Sequence, residues 1–243
     1  MAGETPDYQR LNVQSTVFPM TDLGELAVRL GSIVTFDRRG DVVLVEDFEA
    51  GLGRWKLQLG GTGAVVDLSR TGPRSGQLSC RLVKASDGSK DAGIEHVFPL
   101  TALSPVGAEV SFAELGGAAE LHLRIDYADG TRAWRFELVY REAQEDIQVL
   151  QADGTYETIA TGLPVFAETH GHSTIKLVAD LAQLGYVRAL FNSITVDVSS
   201  FAPQDVAALA LVQMAVGVRN EGALAASRTV YVDDVIVTQN EPP

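Results

Sequence analysis

Cysteine is all but missing from this chain. Cys80 is the single one in 243 residues, so no disulfide can form within the chain and a buried core must supply the stability. It sits in the strand-like run Leu78-Ser-Cys-Arg-Leu-Val83, where a thiol is expected to be buried and inert. Basic residues are scarce as well: 19 Lys and Arg stand against 32 Asp and Glu, a net charge of −13. No basic run occurs, which excludes a protein that grips nucleic-acid phosphates. The acidic excess instead favours solubility and limits non-specific association. No stretch approaches the roughly 20 apolar residues that span a bilayer. The polar opening Met1-Ala-Gly-Glu-Thr-Pro-Asp-Tyr8 lacks the apolar core of a signal peptide. The expectation is therefore neither membrane insertion nor export by a standard signal. Aromatic residues make up only 7%, with two tryptophans, which is thin for a surface that stacks sugar rings.

What is present is a hydrophobic content of 46%, enough for one large core. Its organisation changes near residue 41. Before that point the chain reads as an extended arm with one short helix. Leu23, Leu26, Ala27 and Leu30 recur at helical spacing, with Asp22 and Glu25 suited to the N-terminal cap and Gly31 to the C-terminal one. So short a helix needs a surface to dock on, either the rest of the chain or a neighbouring subunit. Residues 1–41 are thus an assembly or docking arm, with Leu23, Leu26 and Leu30 as its contact face. Residues 42–240 are the folded domain.

From Val42 onward, strands and turns alternate at the short spacing of an antiparallel β-sandwich. Asp129-Gly130 marks a hairpin. Counting outward from a two-residue turn places Ile125 opposite Trp134, Leu123 opposite Phe136 and Leu121 opposite Leu138. One face is then apolar, while the other sets Arg124 against Arg135 and His122 against Glu137. Facing arginines repel, so this surface calls for a carboxylate from this chain or another. A second hairpin turns at Asn192-Ser193, pairing Phe191 with Ile194, Ala189 with Val196 and Val187 with Val198, with Arg188 meeting Asp197 outside. A third, around Asp153-Gly154, needs a bulge or a longer loop. In the last strand the apolar phase jumps at Asp233-Asp234, predicting a β-bulge.

The opening Val42-Val-Leu-Val-Glu-Asp-Phe-Glu49, with Trp55 shortly after, and the closing Val230-Tyr-Val-Asp-Asp-Val-Ile-Val237 resemble the first and last strands of jelly-roll domains in carbohydrate-binding modules and concanavalin A-like lectins. The segment Thr174-Ile-Lys-Leu-Val-Ala-Asp180 with the hairpin after it is similar to part of laminin G-like and concanavalin A-like sandwiches. The resemblance implies an all-β, antiparallel jelly-roll sandwich of the concanavalin A-like, carbohydrate-binding-module-like kind. It also implies a structural calcium ion where the first and last strands meet, at Asp47, Glu49, Asp233 and Asp234. It implies a buried aromatic at Trp55.

Catalytic signatures are missing. The Glu-x-Asp-x-x-Glu strand of one concanavalin A-like hydrolase family is absent, and Glu142-Ala-Gln-Glu-Asp146 has the wrong spacing. No nucleophile elbow, zinc helix or phosphate loop occurs. His170-Gly-His172 pairs two imidazoles but has no third ligand in view. Trp134 falls on the apolar face and Tyr127 points inward, leaving Tyr140, Tyr156 and Tyr186 as the tyrosines expected outside. His122, Arg124, Asp126, Arg135 and Glu137 form the most suggestive polar face. Two functions follow. The first rests on the arm with its short helix, the Asp47-Phe-Glu49 start and the Tyr231-Val-Asp-Asp234 end, which resemble accessory virion proteins. It is a non-enzymatic virion structural protein, assembled in the host cytoplasm: a phage capsid decoration or tail-associated jelly roll. It would be anchored by its arm, as a homo-oligomer or on a capsid or tail protein. The alternative is a carbohydrate-binding module or lectin-like domain that holds glycans on its polar sandwich face.

Overall fold

The computed structural model describes residues 40–86, 91–99, 103–114, 120–165, 171–207, 211–222 and 227–242. The expected arm and helix, with Leu23, Leu26 and Leu30, lie outside these residues, as does His170. The strands are, in chain order, β1 (Asp41–Glu46), β2 (Lys56–Leu59), β3 (Val65–Ser69), β4 (Ser79–Lys84), β5 (Ala92–Pro99), β6 (Pro105–Glu114), β7 (Glu120–Asp129) and β8 (Ala133–Arg141). They continue with β9 (Asp146–Leu150), β10 (Tyr156–Thr161), β11 (Ser173–Asp180), β12 (Gly185–Phe191), β13 (Ile194–Asp197), β14 (Gln204–Val206), β15 (Val212–Glu221) and β16 (Arg228–Gln239). A 3-10 turn at Glu142–Gln144 joins β8 to β9.

Two antiparallel sheets result, and they pack as a jelly-roll β-sandwich. The first runs β13-β12-β11-β6-β16-β4-β3, with β1 also on β16; the second runs β10-β9-β8-β7-β15-β5-β2, with β14 on β8. As expected, the first and last strands of the domain lie side by side. Alternation decides which side chains go inside. Leu121, Leu123 and Ile125 of β7 meet Val110, Phe112, Leu177 and Ala189 of the opposite sheet in a single core. Cys80 is buried there as a thiol, and burial raises its pKa.

Three hairpins test the sequence reading. In β7–β8 the faces are as expected but every partner is displaced by two residues: Tyr127 lies opposite Trp134, Ile125 opposite Phe136 and Leu123 opposite Leu138. The cause is the turn. Gly130 (φ +91°) and Thr131 form its corner, and the Asp129 carboxylate accepts the Thr131 and Arg132 N–H groups, both at 2.7 Å. This shifts the turn centre by one residue and the register by two, which preserves the faces. The Asn192-Ser193 hairpin has the expected register, Phe191 to Ile194 and Arg188 to Asp197. Arg188, however, is buried and turns to Glu241, while Asp197 caps the Ser199 N–H. In the third hairpin a loop at residues 151–155 and a bulge between Thr158 and Ala160 are both present. The β16 bulge falls between Asp233 and Ile236, with Asp234 at φ +47°.

The far face of the first sheet is closed by the chain's C-terminal end. Glu241 is buried, with Lys176 Nζ at 2.7 Å and the Arg188 guanidinium against its other oxygen. Gly107 has to be glycine beneath it, because a Cβ there would lie 2.6 Å from Glu241 Oε1 and 2.4 Å from the Thr238 hydroxyl. Removing one member of a buried ion pair leaves charge uncompensated. Glu241→Ala is therefore expected to lower unfolding stability by about 3–5 kcal/mol, read as a lower urea midpoint with an unchanged slope.

Candidate functional site: a polar groove on the second sheet

The outward side chains of β7 and β8 do converge, and the corrected register explains how. Arg124 lies opposite Glu137, and Asp126 opposite Arg135. The expected arginine pair is replaced by two ion pairs, so the carboxylate that this face called for comes from the chain itself. Arg135 grips Asp126 with two bonds, Nε to Oδ1 at 2.8 Å and Nη2 to Oδ2 at 3.2 Å. Arg124 Nε lies 2.8 Å from Glu137 Oε2 and its Nη2 is 2.9 Å from Glu221 Oε2 on β15. His122 Nδ1 bonds Glu137 Oε1 diagonally across the strands, although its register neighbour is Val139.

This part of the face is not solvated. Glu137 is 1% exposed, His122 5% and Arg124 6%. Burial alone would push the Glu137 carboxyl up, but hydrogen bonding and charge from His122 and Arg124 pull it down to about 2. Burial would likewise depress His122; the neighbouring Glu120 carboxylate and the bonded Glu137 outweigh that and hold it above its ordinary value. Tyr156 of β10 donates to Glu137 Oε1 at 3.1 Å and stands edge-on to His122.

The backbone N–H of Glu137 raises a separate problem. β14 pairs with β8 at residues 133–135 and β9 at 138–141, leaving a gap between them. Tyr186 reaches across the core from β12 and fills it. Its hydroxyl accepts the Glu137 N–H at 3.0 Å and donates to the Leu150 carbonyl at 2.7 Å. Of the tyrosines expected outside, only Tyr156 is exposed, at 39%. Tyr186 is buried for the reason just given, and Tyr140 is buried against Phe112 and Phe191, its hydroxyl on the Leu163 carbonyl. Trp134 is half-buried and stacks on Tyr127 at 5.5 Å.

Alongside this cluster the face opens into a groove of about 340 Å³. Its floor is made of small residues, Ala128 and Ala133 with Ala215 of β15, and Gln213 lies beside them. One wall carries Asp126 and Arg135, with Val206 and Ala207 beyond; the other carries Lys56 and Glu95. Lys56 Nζ lies 3.0 Å from Glu95 Oε1, and Gln58 donates to Glu95 Oε2 at 3.0 Å. Lys56, Glu95, Gln213 and Glu221 are absent from the sequence-based set. They arrive because β15 inserts between β7 and β5, a long-range pairing with no local signal.

The expected calcium residues behave differently. Asp233 accepts the Arg74 and Ser75 N–H groups at 2.6 and 3.0 Å, and Asp234 the Ser75 hydroxyl at 2.7 Å. Burial and the Asp234 charge push Asp233 up to about 7 against those donors. Glu49 accepts the Gln77 and Leu78 N–H groups, both at 2.6 Å, and Asp47 caps Glu49. Calcium needs roughly six to eight oxygens. These carboxylates hold the residue 74–78 loop, and among the described residues no three acidic, His or Cys side chains form a metal-holding group. His172 is half-buried. Trp55 is buried as expected, donating to Glu46 Oε2 at 3.2 Å and packing on Phe48.

No family model and no curated protein sequence matches the chain. Solved structures do. A carbohydrate esterase from the Shiga toxin-encoding bacteriophage phi24B aligns over 83% of this chain and 100% of its own, at 14% identity and a TM-score of 0.56. The carbohydrate recognition domain of Emp46p in its potassium-bound form aligns over 81% and 93%, at 10% identity and a TM-score of 0.50. These likenesses show the fold alone, an antiparallel β-sandwich.

The buried network sets a pH signature. Glu137 is lowered from its ordinary 4.5 to about 2, so its contribution is complete above about 4.5 and is lost as pH falls toward 2. His122 is raised, so its contribution is complete below its ordinary 6.5 and is lost as pH rises through the elevated value. Arg124, Glu120, Glu221 and Tyr156 face the same pair. Glu137→Gln removes the acid limb and, with Glu120 and Glu221 still beside His122, only reduces the alkaline one: the variant is expected to be less stable at neutral pH and flatter at the acid end. Denaturation midpoints from pH 2 to 9 check this; an unchanged acid limb would assign the loss to other carboxylates.

Proposed function

We propose that the chain is a non-catalytic carbohydrate-recognition domain that holds glycan along the polar face of its second sheet. The observation that carries this reading is the groove between two ion-paired walls, Asp126–Arg135 and Lys56–Glu95, over a floor of small residues. Sugar hydroxyls both donate and accept, and fixed carboxylate, guanidinium and amide groups present complementary planar partners at low entropic cost. Hydrolytic chemistry has less support. An esterase needs an activated nucleophile, whereas the His122 ring faces Glu137 with one nitrogen and Glu120 with the other. No serine or threonine hydroxyl bonds that ring among the described residues.

A bulky side chain on the floor tests the site. Ala215→Trp should abolish retention on a glycan array, with a thermal midpoint close to that of the parent. Unchanged retention would place binding elsewhere on the molecule.

A second reading concerns the setting, a virion. It is favoured by the phage origin of the esterase, whose whole length aligns with this sandwich. On this reading residues 1–41 anchor the domain to a shell, a tail or further copies of itself. Light scattering of the full chain beside a 42–243 truncation decides self-assembly. A defined oligomer that becomes a folded monomer on truncation is expected; an oligomer that survives truncation would move the contact to the sandwich.

A further inference from the structure

Charge on the binding face is closed pair by pair. Arg135 is held by Asp126 and Lys56 by Glu95 at the groove itself. Around it, Arg124 faces Glu137 and Glu221, Arg219 faces Asp91, and Arg141 faces Asp146. Among the described lining residues the two cations are matched by two anions, so the groove is neutral inside a chain of net charge −13.

We propose, resting on the groove reading above, that this site selects uncharged oligosaccharides and excludes acidic ones. An acidic sugar has two ways to bind here, and both are costly. It can approach without a counter-charge, against the field of an acidic protein. Otherwise it must take Arg135 from Asp126 or Lys56 from Glu95, stranding a carboxylate beside its own. A neutral sugar separates no charges. The Arg135–Asp126 contact uses Nε and Nη2 and leaves the Nη1 amino group as a donor, while each carboxylate oxygen keeps a lone pair for a hydroxyl. Exclusion here is a repulsive device, built from the partner each cation already has.

The test is calorimetric titration of the full chain at low salt with two panels. One panel is neutral (cello-, xylo-, manno- and malto-hexaose), the other acidic (oligogalacturonate, oligoalginate and sialyllactose). The parent should bind a member of the neutral panel and bind every acidic sugar at least about tenfold more weakly. Asp126→Asn should uncover Arg135 and raise affinity for oligogalacturonate by about tenfold. Glu95→Gln should act the same way through Lys56, whose side chain is more exposed than that of Arg135. Both gains should disappear in about 0.5 M salt. Acidic sugars bound as tightly as neutral ones would overturn charge exclusion and leave the glycan site standing. No gain in either folded variant would overturn it too. Failure of both panels, or neutral binding that survives Ala215→Trp, would overturn the underlying site reading.

Discussion

The second sheet depends on how one buried carboxylate is satisfied. Glu137 stands where β8 changes partner from β14 to β9, so both its side chain and its backbone need donors and acceptors that no regular ladder supplies. His122, Arg124 and Tyr156 meet the carboxylate, and the Tyr186 hydroxyl meets the N–H from the far side of the core. These side chains come from three places in the chain: His122 and Arg124 from β7, Tyr156 from β10, Tyr186 from the opposite sheet. A group buried at so high a cost without partners therefore fixes the relative placement of four strands. It also leaves the outward rows of β7 and β8 rigid just where the groove begins.

That rigidity matters for a polar site. Arg135 and Asp126 lie one step along the strands from Arg124 and Glu137, so the groove wall continues a lattice already immobilised underneath. Side chains held in advance lose little entropy when a ligand arrives. The same lattice accounts for how an acidic protein presents a neutral surface. Within the groove each cation has been assigned an anion by strand register.

Much of this was legible in the chain, and each failure has a physical cause. Faces were readable because side-chain direction repeats every two residues, so the apolar row Leu121, Leu123, Ile125 and the polar row His122, Arg124, Asp126 survive any even slip. Partners were not readable, because the Asp129 carboxylate moves the turn centre by one residue and thereby exchanges a repulsive arginine pair for two attractive ones. The β16 bulge was visible as a break in the apolar phase at Asp233-Asp234. By contrast, Lys56, Glu95, Gln213 and Glu221 come to the site only through β15 pairing with both β7 and β5, and nothing local encodes that. Tyr186 misled for a similar reason. Its burial is set by a gap between β9 and β14, a property of the assembled sheet and not of β12.

The scarcity of aromatics shapes what such a site can do. Trp55 and Tyr140 are buried, and Trp134 is half-buried and stacked on Tyr127, so among the described residues of this sheet little stacking surface remains for a sugar ring beyond Tyr156. Recognition through hydrogen bonds in competition with water contributes only about 0.5–1.5 kcal/mol per neutral bond. On the proposed glycan reading, a single groove built this way would be a weak binder whose discrimination exceeds its affinity. Weak sites become useful when several are presented together, because linkage turns later contacts into intramolecular ones. The two functional readings then complement each other. An array of copies, on a shell or in an oligomer, would supply the avidity that a groove with few aromatics lacks, and neutral walls would keep that avidity from spreading to every charged surface it meets.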